Sequence, residues 1–122
     1  LHYMDPTLDT GDILARREVE TDFANTGKEL HQRLEDAQVE LFKETWPDVI
    51  KKDISVIEQE GNEGTYHRTS DFEELCKIDG TETVRAKEFL DRLRALTFPP
   101  YDNAEIEVDG ETYYIDIEIR RE

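Results

Sequence analysis

Two carboxylates flank a single glycine in the run Leu8-Asp9-Thr10-Gly11-Asp12, and a carboxylate on a short turn has more than one use. An Asp before a glycine turn commonly accepts hydrogen bonds from its own backbone in an Asx-turn. It can also hold a metal, but no nearby His or Cys completes a ligand set around this pair. His2 lies seven residues from Asp9, and the two meet only if the fold brings them together. The single cysteine, Cys76, sits in an amphipathic stretch, where a small core residue is the ordinary reading and a nucleophile the exception.

These side chains need elements to hold them. Leu1 to Met4 is a short apolar run closed by the turn signal Asp5-Pro6-Thr7, and Ile13 to Val19 alternates like a second strand. Thr26 with Glu29 three residues on forms a capping box. It opens a long helix whose apolar face carries Leu30, Leu34, Ala37, Leu41, Phe42, Thr45 and Val49. Trp46-Pro47 is expected to bend or end that helix, because proline has no amide hydrogen to give. Ile54-Ser55-Val56-Ile57 reads as a short strand, and Glu60-Gly61-Asn62-Glu63-Gly64 as the loop between two parts of the chain, residues 1–60 and 61–122.

The second part begins with Thr65-Tyr66-His67-Arg68. A capping box at Ser70 and Glu73 predicts a short helix to about Lys77, broken by Asp79-Gly80-Thr81. A further helix from about Thr83 buries Val84, Phe89, Leu93 and Leu96 and stops at Pro99-Pro100. Ile106 and Val108 then alternate before Asp109-Gly110, the favoured two-residue hairpin turn, and Tyr113, Ile115, Ile117 and Ile119 alternate after it. One face of this hairpin is apolar and must be covered by the helices or by another subunit.

The bulk numbers set limits. A chain of 122 residues makes one compact domain of ordinary size or two small parts. Its formal net charge of −16 repels phosphate backbones, which disfavours a nucleic acid as principal partner. Six lysines against 31 acids suit a salt-rich cytoplasm as well as an ordinary acidic soluble protein. One cysteine cannot form an internal disulfide, so a reducing, cytoplasmic setting is expected. No apolar run is long enough to span a membrane. The start, Leu1-His2-Tyr3-Met4-Asp5, has neither an initiator methionine nor the pattern of a signal peptide, and its strand-like character suggests a fragment.

The stretch His2-Tyr3-Met4-Asp5-Pro6-Thr7-Leu8-Asp9-Thr10-Gly11-Asp12-Ile13-Leu14 resembles the signature of the folate-dependent formyltransferases. That family includes enzymes acting on methionyl-tRNA, on glycinamide ribonucleotide and on sugar nucleotides. Its pattern is a strand, a loop close to Met-Asp-x-x-Leu-Asp-Thr-Gly-Asp, and a second strand. The resemblance implies an α/β fold: the C-terminal part of a Rossmann-like catalytic core over residues 1–60, with two short strands and a long helix. A small helical segment and a C-terminal β-hairpin would follow over residues 61–122.

The chemistry so implied is transfer of a formyl group from 10-formyltetrahydrofolate to an amine. In the family an Asn and a His from an upstream strand act with the Asp of the loop, here Asp9, which orients the imidazole and favours its charged form. Backbone groups of the Met4–Asp9 loop, Met4, Asp5, Leu8 and Asp9 among them, would bind the pterin of the folate, and Asp12 would hold the loop. The chain departs from the family in lacking the Asn-x-His strand. His2, His31 and His67 do not sit in that pattern, so this polypeptide alone is expected to be inactive.

The second part resembles sugar formyltransferases in Thr65-Tyr66-His67-Arg68 and in the Thr97–Tyr101 run with its terminal hairpin. A nucleotide-linked amino sugar asks for aromatic faces and cationic donors, and Tyr66, His67, Arg68, Arg94, Phe98 and Tyr101 are of those types. Each also has a plainer role: Phe98 in the core, Arg94 paired with Asp91, Tyr101 packed on the prolines. The sugar enzymes of this family form homodimers, for which the apolar hairpin face is the candidate contact. A methionyl-tRNA enzyme, which would continue into a basic domain, and a non-catalytic module are the alternatives.

Overall fold

The computed structural model describes residues 1–60 and 64–122. It contains three helices, α1 (Gly27–Ile50), α2 (Thr69–Cys76) and α3 (Ala86–Leu96), and one sheet of β1 (Lys77–Ile78), β2 (Ala104–Val108) and β3 (Glu111–Ile115). Its fold class is therefore α/β. The chain sets into two compact units, Leu1–Glu20 with Arg33–Thr65, and Thr21–Gln32 with Tyr66–Glu122. The loop expected at Gly61, Asn62 and Glu63 lies outside the described residues.

In the first unit the expected strands are reduced to single bridges, His2 with Ile13 and Ile13 with Ile57. Ile13 and Ile57 exchange both backbone bonds at 2.8 Å. On its other side Leu14 and Ala15 both donate to the one carbonyl of Leu1, at 2.9 and 3.3 Å. Two amides on one acceptor put the neighbouring chains out of step, which ends the ladder after one pair.

Helix α1 starts where its cap places it. The Thr26 amide donates to the Glu29 carboxylate at 3.0 Å, and the Glu29 amide to the Thr26 hydroxyl at 3.3 Å. Within the first unit Ala37, Leu41 and Val49 are half-buried and Thr45 is buried, whereas Phe42 is exposed and stacks on Trp46 with ring centroids 5.2 Å apart. Of the two effects expected at Pro47, a bend or an end, the helix does not end there. It forfeits one bond, and the helix continues to Ile50. The stop is Lys52, at φ 56°, whose amide bonds to Val49 while that of Asp53 bonds to Asp48, at 3.1 and 3.0 Å. This pair of bonds around a left-handed residue is the Schellman closure.

In the second unit β1 runs parallel to β2, with Ile78 opposite Ile106. β2 is antiparallel to β3, Ala104 facing Ile115 and Val108 facing Glu111. The turn between them holds Asp109 at φ 53° and Gly110 at φ 81°, the geometry that Asp-Gly favours. Leu93, Leu96 and Ala104 form the core, and Cys76, Ile78, Phe89, Ile115 and Ile117 pack against it. Helix α3 thus covers one end of the apolar hairpin face, while Val108 and Tyr113 stay about half exposed.

Buried Thr97 joins these elements, donating its hydroxyl to the Leu93 carbonyl at 2.8 Å and accepting the Ile117 amide at 3.1 Å. The Pro99–Pro100 peptide that follows is cis. Gly27 is needed for a close approach, since a Cβ there would stand 2.1 Å from the Ala95 carbonyl oxygen.

Three local expectations are corrected here. α2 begins two residues earlier than the Ser70–Glu73 box implies, because the Asp71 carboxylate reaches back to the Arg68 amide at 2.7 Å and makes Arg68 the cap. α3 starts at Ala86, leaving Val84 before the helix and exposed. The stretch Ile54 to Ile57 contributes only the Ile57 bridge.

Candidate functional site

The loop from Met4 to Asp12 in the first unit contains the candidate chemistry. Its two ends are tied by the Tyr3 amide, which donates to the Asp12 carbonyl at 2.9 Å. Gly11 is buried at this crossing, and a Cβ there would lie 1.7 Å from the Tyr3 carbonyl oxygen. No other residue fits that position without moving the backbone.

The loop contains an Asx-turn, and its acid is Asp5. The Asp5 Oδ1 accepts from the Thr7 amide and the Thr7 hydroxyl, each at 2.9 Å, and from the Thr10 hydroxyl at 2.6 Å. The Thr10 hydroxyl bond, followed by the bonds from Thr7, holds the Asp5 carboxyl below the usual carboxylate range. The Thr7 and Thr10 hydroxyl oxygens lie against each other as they converge on this carboxylate.

Asp9 is set differently. Its backbone is left-handed at φ 54° and its side chain is 91% exposed. The fold does bring His2 to it, with Nε2 3.6 Å from Oδ1. Nδ1 of the same ring lies 2.7 Å from the Tyr3 carbonyl oxygen. A carbonyl only accepts, so Nδ1 carries a proton, and Nε2 attracts the carboxylate when it is protonated as well. Among the described residues no three His, Cys, Asp or Glu side chains group so as to hold a metal ion.

One residue that the sequence did not single out completes the loop. The Gln59 carboxamide donates to the carbonyl oxygen of Asp9 at 3.2 Å and to that of Gly11. No local signal marks it, because it reaches the loop from about fifty residues away along the chain. Beside it Met4 and Leu8 turn their side chains outward, 94% and 74% exposed. They form an apolar rim around an acidic turn.

The six candidate acceptor-binding residues lie in the second unit. Phe98 and Tyr101 come together, with ring centroids 6.0 Å apart, and His31 meets the Phe98 ring edge-on at 5.4 Å. Arg94 pairs with Asp91 at 2.9 Å and donates to the Asn25 carbonyl at 3.0 Å, its guanidinium 5.7 Å from the centre of the Phe23 ring. Lys87 and Arg94 together hold the Asp91 carboxyl below its ordinary range. Tyr66 and His67 are exposed ahead of α2, and the Arg68 amide caps that helix. Cys76 is half-buried against the core, and burial, assisted by the Glu105 carboxylate, pushes its thiol up.

Comparison with known proteins supplies the family. Residues 71–121 match the model of the N-formyltransferase dimerization C-terminal domain. Over 104 residues the chain is 34% identical to the dTDP-4-amino-4,6-dideoxyglucose formyltransferase of Mycobacterium bovis, covering 85% of this chain and 44% of that protein. Residues 71–121 thus match the C-terminal domain of the N-formyltransferases, and the homologues of this chain are formyltransferases.

The same chain superposes on the crystal structure of a 4-N formyltransferase from Francisella tularensis with a TM-score of 0.92 and 30% identity, over 98% of this chain and 50% of that one. It is also 33% identical over 108 residues to the methionyl-tRNA formyltransferase of Bacillus pumilus, covering 88% of this chain and 32% of that protein. It therefore spans half the length, or less, of these formyltransferases. The domain match begins within α2 and ends after β3, so the Asp9 loop lies ahead of it.

Proposed function

We propose that this chain is part of an N-formyltransferase that moves a formyl group from 10-formyltetrahydrofolate to the amine of a nucleotide-linked amino sugar. The observation that carries this reading is the presentation of Asp9. Of the acids in its loop, Asp5 is consumed by the turn, whereas the Asp9 carboxylate faces solvent on a loop fixed from three sides. The name of the mycobacterial relative supports the substrate class.

The loop suits a flat, polar donor ring. Exposed Met4 and Leu8 offer apolar cover, and the backbone between them offers peptide groups at an edge. When bound, the folate supplies the formyl carbon. Amine attack on that carbon places negative charge on the formyl oxygen and releases a proton, so the reaction needs hydrogen-bond donors and a base. The role of Asp9 is to orient a histidine from the part of the protein outside this chain and to stabilise its charged form. Residues 1–60 then belong to a Rossmann-like catalytic core and 61–122 to a C-terminal subdomain that pairs with a second copy in the cytoplasm. Phe98 and Tyr101 offer aromatic faces for the nucleotide, with Tyr66, His67, Arg68 and Arg94 as further contacts.

In the full-length protein Asp9→Asn is expected to lower turnover by about 10²–10⁴-fold. Full activity in that variant would remove the proposed role. The present chain alone is expected to show no formylation. The likeness to methionyl-tRNA formyltransferases supports a second acceptor class, but a charge of −16 opposes a nucleic acid at long range. Assay with both acceptors decides between them.

A further inference from the structure

We propose that Gln59 is a positioning residue for Asp9, a role that rests on the catalytic reading of that carboxylate. Asp9 occupies the left-handed region, at φ 54°, which an Asp tolerates better than most residues but which its own preference does not fix. The described contacts name what does. Ile57 is fixed by its two bonds to Ile13, and Gln59 follows two residues later on the same extended stretch. From there one carboxamide nitrogen donates to two carbonyl oxygens, those of Asp9 and Gly11, which bracket Thr10.

Pointing both carbonyls at Gln59 fixes the direction of the backbone through the turn. The Asp9 side chain is then left facing solvent, with His2 3.6 Å away, and Gln59 itself makes no described bond to the carboxylate. Gly11 permits the arrangement because the Tyr3 carbonyl occupies the space its side chain would need. A neutral carboxamide suits the task. It has two N–H groups on one nitrogen, and it adds no charge beside the carboxylate it holds.

The test is a double-mutant cycle in the full-length protein, using 10-formyltetrahydrofolate and dTDP-4-amino-4,6-dideoxyglucose. Gln59→Glu keeps the length of the side chain but replaces both donors with an oxygen aimed at two carbonyls. It is expected to lower kcat roughly tenfold to hundredfold, the scale of a misplaced catalytic group, with the KM for the sugar nucleotide unchanged. On an Asp9→Ala background the same change is expected to cost almost nothing further. Equal losses on both backgrounds, or full kcat in Gln59→Glu beside a slow Asp9→Ala, overturn the positioning role alone. Full activity in Asp9→Ala overturns the catalytic reading and this inference with it. Gln59→Met, which removes the donors without adding charge, repeats the cycle if the glutamate variant does not fold. Loss of the fold in both makes Gln59 structural and ends the proposal.

Discussion

Asp5 and Asp9 stand four residues apart in one loop and live in opposite surroundings. Asp5 accepts bonds from Thr7 and Thr10, while the Asp9 carboxylate faces solvent with the ring of His2 3.6 Å away. The bonds to Asp5 favour its ionised form, so its folded-state pKa is depressed. A depressed carboxylate contributes stability above its ordinary value of 3.8 and loses that contribution as the pH falls through this value and then through the folded one. Asp5→Ala is therefore expected to lower the denaturation midpoint at about pH 6, with the gap to the parent narrowing once the pH falls below 3.8. A gap that stays constant down to acid pH would mean that Asp5 acts through packing alone. At this scale the sequence singled out Asp9 through its motif, but it set the Asx-turn at the Asp before the glycine, whereas Asp5 makes that turn. That choice depends on where Thr10 folds back, five residues from Asp5. Gln59 was invisible for a stronger reason, since its partners lie about fifty residues away and are backbone carbonyls, which every residue has.

Helix ends show how far local chemistry carries. The Thr26–Glu29 box was legible because both bonds lie within one turn of the residues that make them. The Ser70–Glu73 box was a false sign, because Asp71 is equally placed to close on the Arg68 amide and does so. Pro47 did not supply the end of α1 either. A proline near the end of a helix removes one bond, whereas the Lys52 closure satisfies two of the last carbonyls. Lys52 holds φ 56° with a Cβ in place, which costs an L-residue about 1–2 kcal/mol in the left-handed region. Lys52→Gly removes that strain and adds freedom to the unfolded chain, so a net gain of up to about 1 kcal/mol is expected. Urea denaturation of parent and variant measures it, and a destabilised glycine variant would show that the lysine side chain does more than tolerate the turn.

For the whole molecule, charge and the hairpin face pull against each other. Each copy carries −16, so two copies repel unless the contact between them is apolar or salt screens the charge. The hairpin was legible from its alternation and its Asp-Gly turn, but which part of its apolar face the helices cover was not. That depends on Leu93 and Leu96 of α3 packing at the Ala104 end of the face, with Ile115 and Ile117. Val108, at 47% exposure, and Tyr113, at 50%, remain at the open end of the face, within the stretch that matches a dimerization domain. If this end forms the contact in the proposed homodimer, an extra carboxylate there meets both a second copy and its charge. Val108→Asp is then expected to convert the full-length protein to monomer in about 0.05 M salt, with partial recovery of dimer near 1 M as screening shortens the reach of the repulsion. Light scattering reads the mass directly. A dimer of unchanged mass in Val108→Asp and in Tyr113→Asp at low salt would place the contact elsewhere on the chain, because a buried, unpaired carboxylate at an interface is too costly to leave the association untouched.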